Sequence, residues 1–130
     1  MMENIKKINP DLIRAKSMLK MSKDSLNILN ITSLNEKTMN IIFRELYEGL
    51  RQYIDAIGYS KGFKFRTHEA ITIFLKENLN EKEISFKFDK YRKLRNGINY
   101  YGNPVSIETV REAIEEIPKI IKKLSEYLEK

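Results

Sequence analysis

Apolar residues recur at helical spacing along almost the whole chain, and glycine (5) and proline (3) are scarce among 130 residues. A chain so patterned has few places to turn and no run of strict alternation, so helices packed face to face are its natural solution. One apolar stripe, Leu12, Ala15, Leu19, Ser22, Leu26 and Leu29, suits a first helix entered at Pro10 with Asn9 as N-cap and Asp11 in the first turn. Ser33-Leu34-Asn35-Glu36 has the form of a capping box opening a second helix. Its buried face is Ile42, Leu46, Leu50, Tyr53 and Ile57, with Gly58 available for a left-handed end. Residues 59–66 form the longest expected loop.

Thr67 caps a short helix from His68 to about Glu77, burying Ala70, Ile71, Phe74 and Leu75. After Asn80 a long helix over residues 82–101 carries Ile84, Phe88, Tyr91 and Ile98, and Gly102-Asn103-Pro104 stops it. Ser106 caps the last helix, with Val105 and Val110 placed as a hydrophobic staple. Its stripe is Ile107, Val110, Ile114, Ile117, Ile121, Leu124 and Leu128, and Pro118 in its middle predicts a kink. Four main helices with short connections predict an all-α fold: an antiparallel four-helix bundle with an extra short helix, one domain over 1–130 with its core in 10–128.

Composition removes several function classes. With no cysteine there is no disulfide, thiol nucleophile or thiolate metal site, and one histidine leaves little for an imidazole metal site, so no metal or cofactor is expected. No apolar run nears the roughly 18 residues of a membrane span. Met1-Met2-Glu3-Asn4-Ile5-Lys6 has no apolar signal core, so a cytoplasmic protein is expected. The net charge is +6, and residues 60–95 hold 10 basic against 5 acidic side chains. That excess can draw nucleic acid or nucleotide phosphates; the plainer reading is a solvated lysine face.

The excess flanks Leu94-Arg95-Asn96-Gly97-Ile98-Asn99-Tyr100-Tyr101-Gly102. On a helix, Arg95 and Asn99 share a face, with Tyr91 above them. A guanidinium beside carboxamides and phenols suits phosphate or ribose recognition. The alternative is a polar seam that pins helix packing, with Arg95 bonded to Glu45 or Glu48 of the neighbouring helix. Arg95, Asn96, Asn99, Tyr101, Lys90 and Arg92 are the candidate ligand-binding residues. Tyr100 and Tyr101 can stack on a base, though tyrosines closing an amphipathic helix also serve as core or interface. No glycine-rich phosphate loop, metal-spaced carboxylate cluster or serine-type triad is present.

These features together resemble the HEPN superfamily. They are a tyrosine-rich second helix (Phe43, Tyr47, Tyr53, Ile57, Gly58), His68 after a basic loop, and a long helix ending in Arg95-Asn96. Asn103-Pro104-Val105-Ser106 then leads into Glu108, Glu112, Glu115 and Glu116. The resemblance spans roughly residues 10–128. It implies a helical bundle, usually a homodimer, and in many relatives a ribonuclease or a partner of a nucleotidyltransferase-type protein. The family's nuclease motif has a histidine four to six residues beyond the arginine and its polar neighbour. Here those positions hold Tyr100, Tyr101 and Gly102.

Metal-independent RNA cleavage needs proton transfer near neutral pH, which tyrosine at pKa near 10 performs poorly. His68, on another helix and at a helix start unfavourable to its cation, is read as a structural histidine before a catalytic one. The expectation is therefore a HEPN-like RNA-, nucleotide- or partner-binding module without efficient catalysis. Its rival is a ribonuclease pairing Arg95 with Tyr100, Tyr101 or His68, and a third reading is a purely structural interaction protein.

Overall fold

The computed structural model describes residues 4–128; Met1–Glu3 of the N-terminal segment read above, and residues 129–130, lie outside it. The chain is mostly helical. Strand β1 (Ile5–Lys7) leads to α1 (Leu12–Leu26) and a single turn α2 (Ile28–Ile31). Helix α3 (Met39–Lys61) follows, then strand β2 (Phe63–Phe65), α4 (His68–Ile73) with a π-helical turn at Phe74–Asn78, α5 (Lys82–Tyr101) and α6 (Ile107–Leu124). A short 3-10 turn, Ser125–Tyr127, closes the described chain.

Helix α3 is the element against which α1, α5, α6, α4 and β2 all pack. Ile42, Phe43, Leu46, Tyr47, Leu50, Ile54 and Ile57 are all buried, a stripe far wider than a surface helix needs. Phe88 of α5 stacks on Tyr47 with centroids 5.3 Å apart, and Tyr91 meets Phe43 edge-on at 5.9 Å. The buried Tyr91 hydroxyl donates to Glu116 of α6 at 2.6 Å, which ties α5 to α6. The α5–α6 connection is pinned in turn to α3, because the Val105 N–H donates to Asn40 Oδ1 at 3.1 Å.

Several local expectations shift by a few residues. Asp11, not Asn9, caps α1, its carboxylate accepting from the Arg14 N–H at 2.9 Å. Leu12 is consequently outside the core, and the stripe narrows to Ala15 and Ser22 with Leu26 packed alongside. The helix breaks at Asn27, so Leu29 belongs to α2. The expected box at Ser33 forms two residues later: Asn35 and Thr38 exchange backbone-to-side-chain bonds at 3.0 and 3.2 Å, and α3 starts at Met39. Thr67 and Ser106 cap α4 and α6 as the sequence predicts, accepting from Ala70 and Thr109. Gly102 ends α5. Helix α6 runs unbroken through Pro118, which is exposed.

The largest departure lies at residues 58–66. Helix α3 does not end at Gly58 but continues to Lys61, and the left-handed cap is Gly62 at φ +89°. Gly58 lies inside the helix, and its lack of a side chain makes room for the Phe65 ring, which a Cβ there would reach at 2.8 Å. The expected loop is instead β2, paired antiparallel with β1 in the register Ile5 to Phe65, Lys6 to Lys64 and Lys7 to Phe63. Phe63 and Phe65 turn inward onto Phe74, with centroids 5.6 and 4.8 Å away. Three-residue strands carry too little alternation to read from sequence. Among the described residues no helix is long and apolar enough to cross a membrane.

A Cβ at Gly62 would meet the Ile8 carbonyl oxygen at 2.7 Å as well as the positive φ. Gly62→Ala should therefore cost about 1–3 kcal/mol of stability, read as a lower denaturation midpoint in urea with an unchanged slope.

Candidate functional site

His68 begins α4, held there by the Thr67 cap, and Tyr47 lies midway along α3. Arg95 stands two turns from the end of α5, on the side that packs towards both. The three side chains meet. Arg95 Nη2 lies 2.6 Å from His68 Nδ1, the Tyr47 hydroxyl lies 2.9 Å from the same nitrogen, and the guanidinium carbon sits 5.2 Å from the Tyr47 ring centroid. Arginine has no acceptor atom, so Nδ1 must be the unprotonated nitrogen and the ring proton sits on Nε2. Both the guanidinium and the phenol then donate to one lone pair.

This arrangement sets the protonation states. The pKa of His68 is pushed down to about 4, by burial first and then by the cations of Arg51 and Arg95, against an opposing pull from Glu48. Burial also pushes the Tyr47 hydroxyl up to about 12 despite the Arg95 charge. Neither group is ionised at neutral pH, while Arg95 is charged. Its Nε is buried and has no hydrogen-bond partner among the described residues. A buried donor left unmatched costs about 1–3 kcal/mol, so this nitrogen is primed for an acceptor.

A second layer steadies the site from α3. Arg51 donates through Nε and Nη2 to the two oxygens of Glu48, at 2.8 and 2.7 Å, and through Nη1 to Asp55 at 2.5 Å. The Arg51 hydrogen bond holds Glu48 below the usual carboxylate range, whereas burial lifts Asp55 to about 6. Beyond it lies a cleft of about 260 Å³ lined by Arg44, Glu45, Tyr47, Glu48, His68, Arg95 and Asn99. Arg44 closes its edge, donating to Asn99 Oδ1 at 3.4 Å.

Of the residues singled out from sequence, Arg95 and Asn99 line this cleft, and Asn96, Tyr100, Tyr101, Lys90 and Arg92 do not. Tyr100 and Tyr101 stand 69% and 75% exposed at the end of α5. Lys90 pairs with Glu112 at 2.9 Å, and Arg92 with Asp89 at 2.8 Å. Arg95 does not bond to Glu45 or Glu48, the partners its structural reading predicted. The Tyr47–His68 end of the cleft takes it instead. Arg44 and Arg51 went unnoticed, although Glu48, Arg51 and Asp55 stand at i, i+3 and i+7, a spacing that places them on one helix face. Nothing in the sequence ties His68 to Arg95 across 27 positions. Among the described residues no group of three or more histidine or acidic side chains could hold a metal ion.

No family model, curated protein or solved structure matches this chain. The chemistry of the cleft therefore carries the functional reading.

The folded pKa of His68, about 4, lies below its ordinary 6.5, so the unfolded chain binds more protons between those values. His68 thus adds stability above pH 6.5 and loses it as the pH falls towards 4. Asp55, raised from 3.8 to about 6, acts with the opposite sign in much the same window. His68→Gln should accordingly make the slope of stability against pH less positive between pH 4 and 6.5, by urea denaturation. As the chain's one histidine, His68 should also titrate in proton NMR with a midpoint near 4, not 6.5.

Proposed function

We propose that this chain is a HEPN-like helical module, an antiparallel four-helix bundle working as a homodimer in the cytoplasm. Its Arg95 cleft binds the phosphate of RNA or of a nucleotide, without efficient catalysis. A separately encoded nucleotidyltransferase-type protein is the protein partner this reading fits. The observation that carries the ligand is the buried, unpartnered Nε of Arg95 beside a cleft with a second guanidinium, Arg44, at its edge. A phosphate that turns the guanidinium from His68 into the cleft would accept from Nε and an Nη together, in the two-point geometry guanidinium favours. Glu45 and Glu48 on the same wall can accept from sugar hydroxyls.

Weak catalysis follows from His68. With Nδ1 taken by two donors and Nε2 protonated, the neutral ring offers no free base, and a pKa near 4 leaves almost no imidazolium to act as an acid at pH 7.

One contact favours the ribonuclease reading as a second: Arg95 and His68 touch, at 2.6 Å. A bound phosphate that draws Arg95 away would leave the Tyr47 hydroxyl as the remaining donor to Nδ1 and, if that hydroxyl turns aside, free Nδ1 as a base. Nδ1 would then take the 2′-hydroxyl proton as the 2′-oxygen attacks phosphorus. The bond to the 5′-oxygen breaks, that oxygen gains a proton from solvent, and a cyclic phosphate remains.

Fluorescence anisotropy with labelled RNA and with nucleotides, alongside a cleavage assay in EDTA, separates these readings. The expected result is uncleaved RNA, binding weakened about tenfold or more in Arg95→Ala, and binding within a few fold of wild type in His68→Gln. Cleavage lost in both variants would establish the second reading. An Arg95→Ala protein that melts earlier but binds as wild type would sink both and leave a structural interaction protein.

A further inference from the structure

The two short strands gather positive charge on one side. In an antiparallel pair, directly opposed residues project to the same face, and residues two apart on a strand share a face. Ile5 is buried and its partner Phe65 packs on the core, so that face is inward. Lys6 and Lys64 are directly opposed on the other face, and both are exposed. Arg66 extends the same outward row two residues beyond Lys64, its N–H donating to the Asn4 carbonyl at 2.9 Å. None of the three takes part in a salt bridge among the described residues. Three of the four lysines of α5, by contrast, reach carboxylates: Lys87, Lys90 and Lys93.

Like charges directly opposed destabilise a ribbon, and three-residue strands have little pairing to set against that. The ribbon also lies beside the Arg95 cleft. Arg66 is two residues from His68, which lines that cleft. We infer that Lys6, Lys64 and Arg66 form a landing strip for the backbone of single-stranded RNA, one phosphate of which enters the Arg95 cleft. This rests on reading that cleft as a phosphate site and adds a surface outside it.

The geometry selects a strand. Lys64 on β2 and Arg66 just past its end, two residues apart, stand about 7 Å from one another, a spacing that suits successive backbone phosphates, and Lys6 adds a cation beside Lys64 across the ribbon. A duplex holds its phosphates on a fixed helical track and cannot bend one into a recess of about 260 Å³. A membrane surface would ask for apolar side chains among the cations, and no exposed large apolar residue belongs to the ribbon.

The test compares wild type with Lys6→Glu and with the double variant Lys6→Ser/Lys64→Ser. The probes are a single-stranded oligoribonucleotide of about 12 nucleotides, a ribonucleoside monophosphate, duplex DNA, and vesicles of phosphatidylserine. Oligoribonucleotide affinity should fall about tenfold in each variant. In the double variant the slope of log K against log salt should flatten by about 1.4, the value for two lost contacts on a single strand. Monophosphate affinity should stay at the wild-type value. Lys6→Glu should melt no lower than wild type, because a cross-strand Glu–Lys pair replaces two lysines.

Unchanged oligoribonucleotide affinity and salt slope in both variants would overturn the proposal, as would a wild type that binds no oligoribonucleotide. Duplex DNA or vesicles bound more tightly than the oligoribonucleotide, with the variants' loss confined to them, would also overturn it. Ribbon-dependent oligoribonucleotide binding with no monophosphate binding would instead refute the cleft reading and leave the ribbon standing.

Discussion

Inward-facing side chains cover most of the circumference of α3, from Ile42 to Ile57, and no single neighbour can bury them all. Helices α1, α4, α5 and α6 and strand β2 share the task. Each of these elements has its own narrower apolar face to hide, so the packing of α3 decides where all of them lie. Polar contacts then fix details that apolar burial leaves loose. Ser22 of α1 donates to the Gly49 carbonyl of α3 at 2.6 Å, and Tyr91 to Glu116. A hydrogen bond made in a buried interface is costly to lose, so each one selects a single register.

The cleft is a by-product of that arrangement. Tyr47 is on α3 because its ring stacks on Phe88, and His68 is where it is because Thr67 starts α4 as the chain leaves β2. Arg95 reaches both because α5 runs along α3 past Tyr91. The guanidinium is consequently flanked by an aromatic face and an imidazole lone pair, while Glu48 and Asp55 pair with Arg51. A cation so placed is attracted to its neighbours only weakly and is left with an unmet donor. Meanwhile Arg51 absorbs Glu48 and Asp55, which leaves Arg95 without a carboxylate of its own. The two arginines are thus divided: Arg51 is paired with carboxylates, and Arg95 forms no ion pair among the described residues.

Much of this frame was legible from residue order. The span of α5, the caps at Thr67 and Ser106, and the burial of Ala70, Ile71, Phe74 and Leu75 follow from local rules, and the structure agrees with them. Errors cluster where a distant partner outvotes a local preference. Gly58 looked like a helix end because glycine commonly is one, yet it lies inside α3, where its lack of a side chain makes room for the ring of Phe65. Leu12 looked like core because it is apolar, yet nothing packs over that side of α1's first turn closely enough to bury it. In the site, Arg95 stands out by its polar surroundings, and the candidate partners the sequence offers are Tyr100 and Tyr101 downstream, Glu45 or Glu48 on the neighbouring helix, and His68. The partner is His68, from α4.

Residue order alone carries the helical class, the start of α4, both ends of α5, the start of α6 and the identity of the unusual arginine. Periodicity, caps and composition act over a few residues and are written in their order. Only the tertiary structure decided that Lys6 would face Lys64, that residues 63–65 would form a strand, and that His68 would receive a hydrogen bond from Arg95. Those contacts join positions from 27 to 60 residues apart. No local propensity links them; they are selected by which packing best covers α3, and that is a property of the whole chain.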